Sequence, residues 1–156
     1  MSVHRLVRAQ SLPVSPEEIW DFIASPMNLK TITPPDMGFE VTSPEPPGRM
    51  YAGQIITYIV RPLWGIPMRW CTEITHVEDG KYFVDEQRQG PYAMWHHQHH
   101  IRPVSGGVYM EDIVHYRLPL GPLGDLVHPW LVKPRLEQIF DYRFRVLEER
   151  FGRMPG

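Results

Sequence analysis

The chain has 156 residues, 42% of them hydrophobic, and a formal net charge of −2. This length suits one domain with a buried core, and the near-balanced charge argues against nucleic acid as the main partner, since phosphate binding needs a basic patch. The lone cysteine, Cys71, excludes an intrachain disulfide scaffold and fits a reducing, cytoplasmic setting.

The opening residues, MSVHRLVRAQSLPV, lack the apolar core of a signal peptide. No segment approaches the roughly 20 apolar residues of a membrane span, so no integral membrane segment is expected. Residues 3–12 read as a first strand. In SPEEIWDFIASPMNLKTITPP two helix starts follow. Ser15 is a suitable N-cap, Pro16 fits the first helical position, and Glu18 completes a capping box. Ile19, Trp20, Phe22 and Ile23 form the apolar stripe. Ser25-Pro26 repeats the start signal, and Pro34-Pro35 stops a second short helix.

The period then changes to two. Strands are predicted over 38–42, 54–61, 68–77, 81–88, 93–103 and 108–118, and the turns WGIP, EDG, QGPY and SGG between the later ones make sequential strands antiparallel neighbours. Residues 134–151 are helical, with Leu136, Ile139, Phe140, Arg143, Val146, Leu147 and Phe151 on one stripe. A weaker helical turn lies at 125–131, where Pro129 and Pro134 predict a break or kink. Helices on one side of an antiparallel sheet give an α+β domain, and the gap between sheet and last helix is a natural place for a ligand.

The stretch WHHQHH, 95–100, looks like a metal site until strand geometry is applied. Neighbouring side chains on a strand face opposite ways. The set Ala93, Trp95, His97, His99, Ile101 is the more apolar at its ends and is placed inward, which sends His96 and His100 outward. On the next strand Val108, Met110, Asp112, Val114, Tyr116 and Leu118 go inward. A turn centred on Ser105-Gly106 pairs His99 with Asp112 and His97 with Val114, the register that keeps both apolar faces on one side. Phe83, Asp85 and Gln87 share a face on the preceding strand, and Trp70, Thr72, Ile74 and His76 on the one before it.

Two histidines at i and i+2 with Asp112 could chelate an ion, with His76 as a distant further ligand. They could equally satisfy one another by hydrogen bonds, as buried polar groups must. The second reading is preferred, and no metal or cofactor is expected. A His99–Asp112 pair could also serve as general base, but there is no nucleophile elbow, phosphate loop or Cys–His pair, so no catalytic residue is assigned. The apolar loop LPLGPLG, 118–124, reads as a lid, a membrane-touching tip or packing beneath the following helix.

The order of elements, with FVDEQRQGPYAMWHHQHH, GGVYMEDIVHYRLPLGPLG and the ending LEQIFDYRFRVLEERF, resembles the START-like helix-grip (SRPBCC) superfamily of birch-pollen-allergen-like proteins, polyketide cyclases and lipid-transfer domains. Within it the chain is most similar to small bacterial ligand-binding members. The resemblance spans nearly the whole chain. It implies a seven-stranded antiparallel sheet wrapped around a long C-terminal helix, with a cavity for a hydrophobic small molecule. It implies Asp85, Gln87, Trp95, His97, His99, Asp112 and Tyr116 as matching site positions; the reading of the strands and helix adds Trp70 and Phe140. Ile101 stands where the resemblance leads one to expect an aromatic. It implies neither a reaction nor an oligomeric state. The expected function is binding or transport of a hydrophobic or amphipathic small molecule. The alternatives are a cyclase- or dehydratase-like enzyme acting on an aromatic or polyketide-like ligand through His99–Asp112, and a protein-interaction module using the apolar loops.

Overall fold

The computed structural model describes residues 2–44 and 49–155. Strand β1 (His4–Leu12) leads into helix α1 (Pro16–Ile23) and two 3-10 turns, Pro26–Leu29 and Pro35–Met37. Six strands follow: β2 (Glu40–Val41), β3 (Ile55–Val60), β4 (Met68–Glu78), β5 (Tyr82–Gln89), β6 (Met94–Val104) and β7 (Gly107–Arg117). The chain ends in α2 (Pro122–Val127), a π-turn (His128–Val132) and α3 (Lys133–Phe151). The strands form one seven-stranded sheet in the order β1-β7-β6-β5-β4-β3-β2, with every pairing antiparallel. No helix among the described residues is long and apolar enough to cross a membrane.

Helix α1 starts where its sequence directs. The Ser15 hydroxyl accepts a hydrogen bond from the Glu18 N–H at 3.2 Å, and Pro16 occupies the first turn, where its missing N–H is no loss. The expected second helix is instead the pair of 3-10 turns. Ser25 makes no side-chain cap bond, and the prolines at 26, 34 and 35 leave too short a run to nucleate an α-helix. The expected break near Pro129 and Pro134 is a π-turn, so the chain stays helical from Pro122 to Phe151. Both prolines sit in the first turn of their segments, and the wider turn accommodates the donors they lack.

The predicted pairing of β6 with β7 is the observed one: His99 lies across from Asp112 and His97 from Val114. A two-residue hairpin fixes it, with Gly106 at φ +81°, a conformation that suits glycine. On β4 the alternation slips. A bulge between Ile74 and His76 turns His76 outward to an exposed position and brings Val77 against the core. His76 therefore cannot join the inward histidines.

Buried apolar side chains form two clusters. One joins α1 to Leu12, Phe83, Ile101, Val108, Met110 and Leu147. The other gathers Tyr58, Trp70, Trp95 and Tyr116 under Leu136 and Phe140. Helix α3 spans both, and Arg143 is buried between Phe140 and Leu147. Leu147 is only 1% exposed, so Leu147→Ala is expected to cost about 2–5 kcal/mol. Denaturant unfolding checks this; a loss below about 1 kcal/mol would mean that α3 is not seated tightly there.

Candidate functional site

Between the sheet and the helical segment lies a cavity of about 510 Å³, within the range of small-molecule sites. Its lining is mostly apolar and aromatic. Trp70 and Trp95 meet edge to face with centroids 5.4 Å apart, and the Tyr92 ring lies 4.9 Å from that of Trp95. The Trp70 indole N–H donates to the Thr72 hydroxyl at 3.0 Å, and the Tyr58 hydroxyl lies 3.0 Å from the same oxygen. Burial holds the Tyr58 and Tyr92 phenols above their ordinary range. The opening is marked by lining residues that are also solvent-exposed: Trp64, Ile66, Leu120 and Val127. Trp64 and Leu120 have φ of +52° and +69°, the only non-glycine described residues in that region. Leu118 and Gly124 are buried, so the loop 118–124 forms part of the cavity wall and exposes Leu120 at its tip.

One buried polar cluster interrupts the apolar lining. It comes from three adjacent strands and the helix: Asp85 on β5, His97 and His99 on β6, Asp112 on β7 and Arg143 on α3. His97 lies directly across from Asp85, and His99 from Asp112. The shorter contacts run diagonally. His97 Nε2 donates to Asp112 Oδ1 at 2.9 Å, and His99 Nε2 donates to Asp85 Oδ2 at 2.6 Å. The direct pairs complete a diamond, with His99 Nδ1 3.1 Å from Asp112 Oδ1 and His97 Nδ1 3.6 Å from Asp85 Oδ2. Diagonal neighbours on a sheet are within reach of long side chains, so the single expected His99–Asp112 pair is a four-membered network.

The nearer neighbour of each His99 nitrogen is a carboxylate oxygen, 2.6 Å from Nε2 and 3.1 Å from Nδ1, with Arg143 Nη2 farther off at 3.4 Å from Nδ1, an arrangement that favours a proton on each nitrogen. Burial alone would lower its pKa, but Asp112 and Asp85 outweigh burial and raise it. His97 goes the other way: burial and the charged His99 push it below the ordinary value. Burial would raise both carboxyl groups. Arg143 and the two histidines overcome it at Asp112, which is held well below the usual carboxylate range, and His97, His99 and Arg143 lower Asp85. Arg143 Nη2 is 3.4 Å from Asp112 Oδ1. With His99 charged and His97 neutral, the state these shifts favour, two carboxylates face one imidazolium and one guanidinium and their charges balance. The Phe83 ring stacks on His99 with centroids 4.0 Å apart, holding it in plane.

Of the expected site residues, Trp70, Asp85, Trp95, His97, His99 and Phe140 line the cavity. Asp112 sits behind the histidines against Arg143. Gln87 uses its amide on the turn: Nε2 donates to the Tyr92 carbonyl at 2.6 Å, and Oε1 accepts from the Tyr92 N–H at 3.0 Å. The Tyr116 hydroxyl lies 2.6 Å from His128 Nε2, and burial with Glu137 pushes its pKa up to about 12. Neither Gln87 nor Tyr116 is among the lining residues. His96 and His100 face the other side, His96 Nδ1 against Glu86 at 2.8 Å and His100 against Gln98 at 2.9 Å. Neither Arg143 in the site nor His128 beside Tyr116, outside the lining, was expected from the sequence. Arg143 had a signal, being the one charge on the apolar stripe of the last helix; His128 had none.

Among the described residues, Asp85, His97 and His99 are the group able to offer a metal three ligand atoms within 4.8 Å of one another. The same atoms are already used in the network of imidazole–carboxylate contacts, which satisfies them without an ion.

No family model matches the sequence, and no curated protein matches it. Solved structures do match in shape. A START superfamily protein from Mycobacterium smegmatis superposes with a TM-score of 0.71 at 14% identity, over 95% of this chain and 97% of that one. The major latex-like protein 151 of Panax ginseng gives 0.69 at 11%, over 96% and 97%. A protein of Thermus thermophilus gives 0.67 at 20%, over 96% and 97%. The seven-stranded antiparallel sheet and the helical stretch from Pro122 to Phe151 thus have the START-like helix-grip fold.

Proposed function

We propose that the protein binds a hydrophobic or amphipathic small molecule in the cavity between the sheet and α3. The observation that carries this reading is the 510 Å³ space itself, apolar along most of its walls and lined in one place by the polar cluster. Evolved cores are packed to crystal-like density, so a void of this size calls for an occupant. The ginseng and mycobacterial neighbours share the fold, which by itself selects no ligand. A cyclase- or dehydratase-like reaction through His99–Asp112 is less well supported: both imidazoles turn both nitrogens toward carboxylates, which leaves neither ring directed at a ligand as a base.

An anilinonaphthalene dye titrated into the protein should quench tryptophan emission saturably at one site per chain, through Trp70 and Trp95. Filling the cavity with Ile139→Trp should weaken that binding by about tenfold or more, since a clash in a packed site is worth 1–3 kcal/mol. Dye binding that is non-saturable, or indifferent to the filling substitution, would end the proposal.

A further inference from the structure

The arrangement of the polar cluster narrows the class of ligand. Asp85 is the carboxylate that reaches the cavity lining. Its Oδ2 takes the bond from His99 at 2.6 Å and faces His97 at 3.6 Å. Its Oδ1 accepts from no described residue, yet the side chain keeps 15% of its surface accessible. A carboxylate oxygen has further acceptor capacity, and here it is met from the cavity side. The Trp70, Tyr58 and Thr72 polar groups are bonded to one another, and Arg143, another ionic side chain of the lining, turns Nη2 to Asp112 Oδ1 and His99 Nδ1, each at 3.4 Å, while its unpartnered Nε is buried out of a ligand's reach.

The charge count sets the second condition. Asp85 and Asp112 are balanced by His99 and Arg143, the two cations buried and the two carboxylates only 15% and 13% exposed. A ligand carboxylate entering beside Asp85 would lose its water and find a like charge in a low-dielectric space. An ammonium would also lose its water without meeting net negative charge. A neutral O–H or N–H donor loses little and completes the acceptor. The third condition comes from the walls, where Trp70, Tyr92 and Trp95 present ring faces and edges to a flat apolar body.

We infer that the cavity selects a neutral, flat, apolar molecule carrying one hydroxyl or N–H group that donates to Asp85, and that it discriminates against carboxylates of the same shape. This rests on the small-molecule reading above. The test uses the full chain and three fluorescent probes of one shape: 1-hydroxypyrene, 1-methoxypyrene and 1-pyrenecarboxylate. Each is titrated near neutral pH and followed by energy transfer from tryptophan. Hydroxypyrene should bind about tenfold or more tighter than either of the others, the ratio expected for a hydrogen bond to a charged acceptor. In Asp85→Asn, checked for folding by circular dichroism, that advantage should shrink to about threefold or less as the acceptor loses its charge. Pyrenecarboxylate binding as tightly as hydroxypyrene, or the methyl ether matching it within about twofold, would overturn the inference and leave the cavity reading intact. Saturable transfer from none of the three would overturn both. The wild-type series decides the matter even if the Asp85 variant does not fold.

Discussion

Replacing Arg143 with methionine should cost about 3–5 kcal/mol of folding stability near neutral pH, because it leaves a buried carboxylate without its counter-charge. Methionine fills most of the volume of the arginine stem, so packing loss is a small part of the effect. The guanidinium lies 3.4 Å from Asp112 Oδ1 and the residue is 7% exposed. The double variant Arg143→Met with Asp112→Asn should recover much of the loss, since the uncompensated charge is then gone. Arg8 provides the control. Its ion pair with Asp141 at 2.5 Å is solvent-accessible, and Arg8→Met should cost no more than about 1 kcal/mol. Urea unfolding of the four proteins decides the matter. Equal losses for the two single arginine variants would show that Arg143 is not neutralising a buried charge.

Stability should peak near the ordinary imidazole pKa of about 6.5 and fall on both sides. The folded state raises the pKa of His99, so its contribution is complete below the unfolded value and is lost as pH rises through the folded one. His97 has a lowered pKa. Between its folded and unfolded values the unfolded chain binds more protons, so stability drops as pH falls below about 6.5. Asp85 and Asp112, both lowered, add a further loss as pH falls below about 4 through their folded values. In His99→Gln the alkaline decline above about pH 6.5 should flatten, while the acid side keeps its slope from the carboxylates. Melting temperature measured across pH is the readout. An unchanged alkaline slope in the variant would show that His99 is not the imidazolium.

The strand faces were legible because alternation is a rigid geometric rule. His97 and His99 had to part from His96 and His100, and one register kept Val108, Met110 and Val114 on the same face as Trp95. The diagonal bonds were not legible, since sequence fixes which residues oppose each other but not how far a histidine leans along the strand. His76 was misplaced by the bulge after Ile74, which no local turn residue announces. Arg143 was seen on the correct face of the last helix, yet its carboxylate partner lies 31 positions earlier by residue number, across the sheet. The π-turn at His128–Val132 followed from the same prolines that suggested a break; what sequence could not weigh was the packing of Leu136 and Phe140, which holds both halves of the helix in place.

Helix α3 also secures the other end of the chain. Arg8 donates to the Glu137 carbonyl and to Asp141, and Gln10 donates to the Phe144 carbonyl, across sequence separations of 129 to 134 residues. Among the described residues, strand β1 has its only strand partner in β7. Strand β1 therefore has no strand to join until β7, about a hundred residues later, has been made. Such non-local closure is slow, and a growing chain of this kind exposes apolar strands for a long time. Until Arg143 arrives, Asp85 and Asp112 have only the histidines to balance them, and a sheet face carrying net negative charge resists being buried dry. The polar cluster thus makes burial of this face costly until the last helix supplies Arg143.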